Sequence, residues 1–302
     1  MKFKIRKNVL AEALNNVSKA LSSKNIVPIL SGIKFNLTKE KLILTASDND
    51  ITIQTEIEKS EDLEITTPGS IVIKGKYILD IIRKLDSEFI NIEIIDDYKV
   101  LIYTENSEFN LNGIDAREYP PIDLSLNDDF ISLSVKDFKN IVNQTNYASS
   151  TDESRIVLTG LNLKTNKDML ECSATDSYRL SLKKYKMEKS LTKDVNIIIP
   201  SRNLTELLKL FFDESEEMLN IYIFGNKIIF KFNNIIFQSR LINGSYPNTV
   251  NLIPNETLFD LRINKREFYN MVDRASILNN DRDNNIITLE INNNLLKITS
   301  MS

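Results

Sequence analysis

The feature that most constrains this chain is that it repeats itself. Pro28-Ile29-Leu30-Ser31-Gly32-Ile33 returns as Ile156-Val157-Leu158-Thr159-Gly160-Leu161, and Thr45-Ala46-Ser47-Asp48 returns as Ser173-Ala174-Thr175-Asp176, both 128 residues later. A third copy reads Ile286-Ile287-Thr288-Leu289 and then Leu296-Lys297-Ile298-Thr299-Ser300. Self-similarity at a fixed period marks a fold assembled from copies of one supersecondary unit.

The flanks of each copy show what that unit is. Phe3-Lys4-Ile5, Leu133-Ser134-Val135 and Leu261-Arg262-Ile263 alternate like strands. Each leads into a segment with apolar residues at three- and four-residue steps: Leu10, Leu14 and Val17; Phe138, Ile141 and Val142; Phe268, Met271 and Val272. That spacing predicts helices whose apolar stripe packs on a core. Second halves repeat as well. Ile71-Val72-Ile73 with a helix through Leu85 matches Ile197-Ile198-Ile199 with a helix through Leu210. Strands follow, including Glu108-Phe109-Asn110-Leu111 and Ile236-Phe237-Gln238-Ser239, and each half closes on Tyr119-Pro120 or Tyr246-Pro247. The expected fold is α+β: strand, helix, three strands, used twice per domain. The domains run over 1–129, 130–256 and 257–302. The third copy reads only to the equivalent of Asp48, so 257 onward is expected to fray and a stable closed dimer is not expected.

Several chemistries are excluded. The chain has no histidine, which removes Ser-His-Asp and Cys-His catalysis and His-based metal sites. Its seven glycines form no G-x-G-x-x-G. Gly69 and Gly75-Lys76 approach a phosphate loop but are spaced by five residues, and Tyr77 stands where a hydroxyl should bind magnesium. Asp48-Asn49-Asp50 and Asp281-Arg282-Asp283 read as solvated turns rather than metal sites. No cofactor is implied. Cys172 is the single cysteine, which fits a reducing, cytoplasmic setting. No apolar run spans a membrane. The basic, amphipathic start, Met1 to Leu21, is structure rather than a targeting segment, because its pattern returns twice.

The net charge of -4 argues against a nucleic-acid binder until it is divided. Five expected helices, 7–21, 75–85, 136–146, 201–211 and 265–275, together carry +6, leaving -10 for the rest. Helices lining one surface would make it attractive to phosphates without reading bases.

Taken together these residues resemble the bacterial sliding clamp, the beta subunit of DNA polymerase III. The markers are Val27-Pro28-Ile29-Leu30, Ser107-Glu108-Phe109-Asn110-Leu111, Ala174-Thr175-Asp176-Ser177-Tyr178-Arg179-Leu180 and Asn243-Gly244-Ser245-Tyr246-Pro247. The resemblance implies a ring of two chains around duplex DNA, helices inside, tethering replicative polymerase without catalysing a reaction. It implies partners, the polymerase and the clamp loader, that dock short linear peptides on Leu158, Thr175, Ser177, Tyr178, Arg179, Leu180, Pro247 and Leu252. Lys24, Arg83, Lys136 and Arg202 would face DNA. The ring-closing surface would use Lys76, Leu85, Phe109 and Leu111, with Ile277 and Leu278 opposite. Tyr178-Arg179-Leu180 departs from Asp50-Ile51-Thr52 in the first copy, which suggests a task specific to the second. Two other readings compete: a repeat-built protein-interaction module with no DNA role, and a carboxylate-dependent hydrolase.

Overall fold

A computed structural model describes residues 1–22, 27–96, 98–211, 217–249, 252–253, 256, 258–277, 286–292 and 295–300. They belong to two compact units, Met1–Thr249 and Val250–Ser302. In the first unit the elements run β1 (Lys2–Arg6), α1 (Lys7–Ser18), β2 (Gly32–Leu37), β3 (Lys41–Ser47), β4 (Ile51–Glu58), β5 (Leu63–Thr67), β6 (Gly69–Lys74), α2 (Gly75–Lys84), β7 (Phe89–Asp96), β8 (Lys99–Tyr103) and β9 (Glu108–Asn112). The second copy follows as β10 (Phe130–Ser134), α3 (Val135–Thr145), β11 (Gly160–Asn166), β12 (Met169–Thr175), β13 (Leu180–Lys186), β14 (Asn196–Pro200), α4 (Ser201–Leu208), β15 (Met218–Ile223), β16 (Lys227–Phe232) and β17 (Ile235–Arg240). The strand-helix-three-strand unit is present four times. The first copy also has β5, which flanks β1.

The helices form where the apolar stripe demands them. Leu10, Leu14 and Val17 of α1 and Phe138, Ile141 and Val142 of α3 are all buried. Ser134 caps α3: its hydroxyl accepts from the Asp137 N–H at 3.0 Å, satisfying one of the donors a helix leaves free at its start. The repeated glycine has a packing reason. A Cβ at Gly160 would lie 2.6 Å from Ile198 Cγ2 and 2.7 Å from the Ile199 carbonyl, so only glycine lets β11 and β14 come this close.

Three sheets carry these elements, with strand orders β5-β1-β7-β8-β9, β10-β15-β16-β17-β4-β3-β2-β6 and β13-β12-β11-β14. The eight-stranded sheet crosses between the sequence copies: β17 runs antiparallel to β4, with Gln238 opposite Thr52 and Ile236 opposite Gln54. One continuous core joins both copies, from Phe3 and Ile5 through Phe35 to Phe230 and Phe237. Cys172 lies in this core, and burial pushes its thiol up to about 12. A bulky disulfide reagent is therefore expected to leave Cys172 unmodified under native conditions and to react fully in denaturant. Native reaction at the rate of an exposed thiol would contradict this burial.

The second unit holds α5 (Lys265–Ser276) and the hairpin β18 (Ile287–Asn292) and β19 (Leu295–Ser300). Asn264 caps α5 by accepting from the N–H groups of Arg266 and Glu267. The strand expected at Leu261-Arg262-Ile263 is not formed. Its counterparts β1 and β10 are each paired with a strand of the following half, β7 and β15. The expected Asp281-Arg282-Asp283 turn lies outside the described residues. Among the described residues no helix is long and apolar enough to cross a membrane.

Candidate functional site

The turn between β12 and β13 is built by its own side chains. Asp176 Oδ1 accepts from the N–H groups of Tyr178 and Arg179, both at 3.0 Å. Thr175 Oγ1 accepts from the Ser177 N–H and donates to the Arg179 carbonyl at 2.6 Å. Ser177 is held at φ +81°. The first copy makes the same turn: Asp48 Oδ1 accepts from Asp50 and Ile51, and Asn49 has φ +78°. Asp48-Asn49-Asp50 is thus a turn, as its composition suggests.

What differs is the cargo of the two turns. Where the first carries Asp50, the second projects Tyr178, which is 98% exposed. Arg179 beside it is held from two sides. Its Nε donates to Asp176 Oδ2 at 3.0 Å, and its guanidinium lies 5.7 Å from the Tyr147 ring centroid. The N–H of Tyr178, with that of Arg179, holds the Asp176 carboxyl below the usual carboxylate range.

Two more segments converge on this turn. The Thr175 N–H donates to Tyr246 Oη at 2.9 Å, and Arg155 Nη1 donates to Ser177 Oγ at 2.9 Å. Gly244 has φ +137°, and a Cβ there would meet Val157 Cγ1 at 2.7 Å, so the Asn243-Gly244-Ser245 stretch lies against the segment bearing Leu158. Leu158 and Thr175 are buried and support the turn from below. Ser177, Tyr178 and Arg179 are exposed, and Leu180 and Pro247 are half-buried at the rim. Leu252 belongs to the second unit and is exposed. In the first copy Tyr119 is buried with Ile29, Leu30, Val72 and Ala116. Tyr246, the counterpart of Tyr119, is only half-buried.

Tyr147, Arg155 and Tyr246 were not anticipated as neighbours of the turn. Tyr246 carried a signal, since it repeats Tyr119. Arg155 and Tyr147 carried none beyond an isolated cation and an exposed aromatic.

Of the residues expected to face DNA, Arg83, Lys136 and Arg202 are exposed on α2, α3 and α4, and Lys24 lies outside the described residues. Arg202 lines an open groove of about 1170 Å³ between the end of α1 and the start of α4, opposite Ser18 and Lys19. Burial lowers the Lys19 pKa, with Glu206 acting in the opposite sense.

On the expected ring surface, Lys76 and Phe109 are exposed and Leu111 is half-buried. Phe109 and Leu111 lie on β9, an edge strand. Leu85 needs correction: it is buried in the core behind α2, because the helix stripe that includes Ile78 and Ile82 ends on it. Ile277 is exposed, and Leu278 lies outside the described residues.

Residues 1–123 match the model of the DNA polymerase III beta subunit N-terminal domain, and residues 132–248 that of its central domain. The chain belongs to the DNA polymerase III beta subunit family. It is 40% identical to the beta sliding clamp of Staphylococcus epidermidis and 39% identical to that of Staphylococcus aureus, in each case over the whole chain and 81% of the relative. The fold agrees with the solved sliding clamp of Bacillus subtilis at a TM-score of 0.96 and 38% identity, covering 100% of this chain and 80% of that one. The DNA polymerase III beta chain of Streptococcus pneumoniae gives a TM-score of 0.92 at 33% identity, with the same coverage.

Proposed function

We propose that the chain acts as a DNA sliding clamp, a processivity factor of DNA replication that tethers the replicative polymerase to duplex DNA and catalyses no reaction itself. The observation that carries this reading is the agreement of fold with the Bacillus subtilis clamp along the whole chain. On this reading residues 1–129, 130–256 and 257 onward are successive clamp domains acting in the cytoplasm.

Partner peptides, from polymerase and clamp loader, would dock on the turn of the second copy. The support is local: the second copy presents Tyr178 and Arg179 on a turn that carries Asp50 and Ile51 in the first copy. A sliding clamp from Bartonella birtlesii, 26% identical, has been solved bound to griselimycin, so clamps of this fold do take a ligand. Apolar anchoring would fall on Leu180 and Pro247, with Arg179 at the rim.

Truncating a central anchor in such a pocket costs about 2 kcal/mol or more. Leu180→Ala is expected to weaken a labelled polymerase-derived peptide roughly thirtyfold in fluorescence anisotropy. Leu180 is only half-buried, so the variant should keep its native circular dichroism. Unchanged affinity in the folded variant would remove this surface from the peptide site.

A further inference from the structure

The end of α1 carries a lysine that the repeat does not require. Lys19 follows the last turn of α1, and the residue 128 positions on is Tyr147, so packing at this helix end does not call for an amine. Lys19 is half-buried and lines the groove between α1 and α4. Its side chain has no hydrogen bond or ion pair among the described residues. Nearby carboxylates are engaged elsewhere. Lys209 Nζ donates to Glu206 Oε1 at 2.7 Å, and Asp48 Oδ1, on another wall of the groove, accepts from the N–H groups of Asp50 and Ile51.

This setting favours the neutral amine. Burial lowers the Lys19 pKa, Glu206 acts against it, and Lys209 acts with it. The free amine and not the ammonium is the nucleophile, and a desolvated lysine beside another cation is one way a protein provides it. The same groove, about 1170 Å³ in volume, has two guanidinium groups on its walls, Arg202 and Arg240. Both residues are exposed, and neither is in an ion pair among the described residues. Guanidinium matches the geometry of a phosphate. Asp50 and Glu153 also lie on the walls and repel an anion, so a phosphate group has favourable ground only beside the arginines.

We propose that Lys19 is a site of acylation by small acyl phosphates, with Arg202 and Arg240 receiving the phosphate group. The neutral amine attacks the carbonyl carbon. A C–N bond forms as the C–O bond to phosphate breaks, and the electron pair of that bond leaves with the phosphate. The proton lost from nitrogen ends on the released phosphate. The product is an uncharged amide, so the groove loses one of its cations.

The test is to treat the 302-residue chain with acetyl phosphate and follow each lysine by peptide mass spectrometry. Lys19 is expected to acetylate about tenfold faster than the exposed Lys39 and Lys136. Arg202→Gln with Arg240→Gln should lower the Lys19 rate about tenfold, because the phosphate loses both of its guanidinium partners. The same double variant should leave the Lys19 rate unchanged with an uncharged donor, the N-hydroxysuccinimide ester of acetic acid, since neither arginine contributes to the Lys19 pKa. Both arginines are exposed, so circular dichroism should not change. Acetylation of Lys19 no faster than that of Lys39 and Lys136 would overturn the proposal. So would a double variant with the native rate toward acetyl phosphate, or one slowed equally with both donors.

Discussion

Replacing Phe230 by alanine is expected to cost the first unit about 3–5 kcal/mol, read as a lower urea midpoint. Phe230 is fully buried on β16, between β15 and β17. Its ring lies 5.4 Å from that of Phe138 and 6.1 Å from that of Phe237, so it ties α3 to two adjacent strands. The loss combines transfer of a large apolar surface to water with a cavity that rigid neighbours on three sides cannot close. Charge pairs are no substitute. Arg117, paired with Asp115 at 2.5 Å, has a side chain 86% exposed, and a pair so open to water contributes little to stability. Arg117→Ala should therefore shift the midpoint little. A Phe230→Ala effect as small as that of Arg117→Ala would mean that this aromatic cluster does not hold α3 to its sheet.

The second large effect concerns the junction between the copies. Gln54→Pro is expected to destabilise the first unit by about 2–4 kcal/mol and to split its single calorimetric transition into two. Gln54 lies in β4, with β3 on one side and β17 on the other, opposite Ile236. Nearby, the Glu56 N–H donates to the Asn234 carbonyl and the Arg240 N–H to the Asp50 carbonyl, which places the even-numbered backbone groups of β4 toward β17. Proline removes a ladder donor, leaves a buried carbonyl without its partner and disturbs a central strand, where it is not tolerated. Because β4·β17 is the pairing that carries one sheet from one copy to the other, its loss should uncouple them. One undisturbed transition in the variant would show that the shared sheet is not what couples them.

Much of the fold was legible because the sequence says it more than once. The apolar stripes Leu10-Leu14-Val17 and Phe138-Ile141-Val142 were readable as buried helix faces, and both are. Asp48 and Asp176 were readable as turn residues, since short acceptors satisfy the backbone locally. Long-range pairing was not legible. Nothing in Thr52 or Gln238 reveals that they meet across β4 and β17, because one alternating strand edge looks like another. Leu85 was misplaced for a related reason: an apolar residue at a helix end reads the same whether it faces a partner or its own core. At the candidate site, Tyr178 could be singled out because it breaks the repeat. Tyr147 and Arg155 join it only through tertiary contacts with no fixed spacing.

The clamp reading is tested most directly by titrating a labelled duplex with the 302-residue chain at rising salt. The account predicts weak binding, the same for unrelated sequences, that falls steeply as salt rises, because it rests on phosphate neutralisation. Arg83→Glu, Lys136→Glu and Arg202→Glu, on exposed helix faces, should weaken it further. Lys184→Glu and Lys186→Glu should not. Those lysines alternate on β13 with Ser181 and Tyr185, which bond to Gln144 and Asp137 of α3, and so point away from the helix. Binding that survives high salt, prefers one sequence, or follows Lys184 and Lys186 instead of the helix residues would contradict the account.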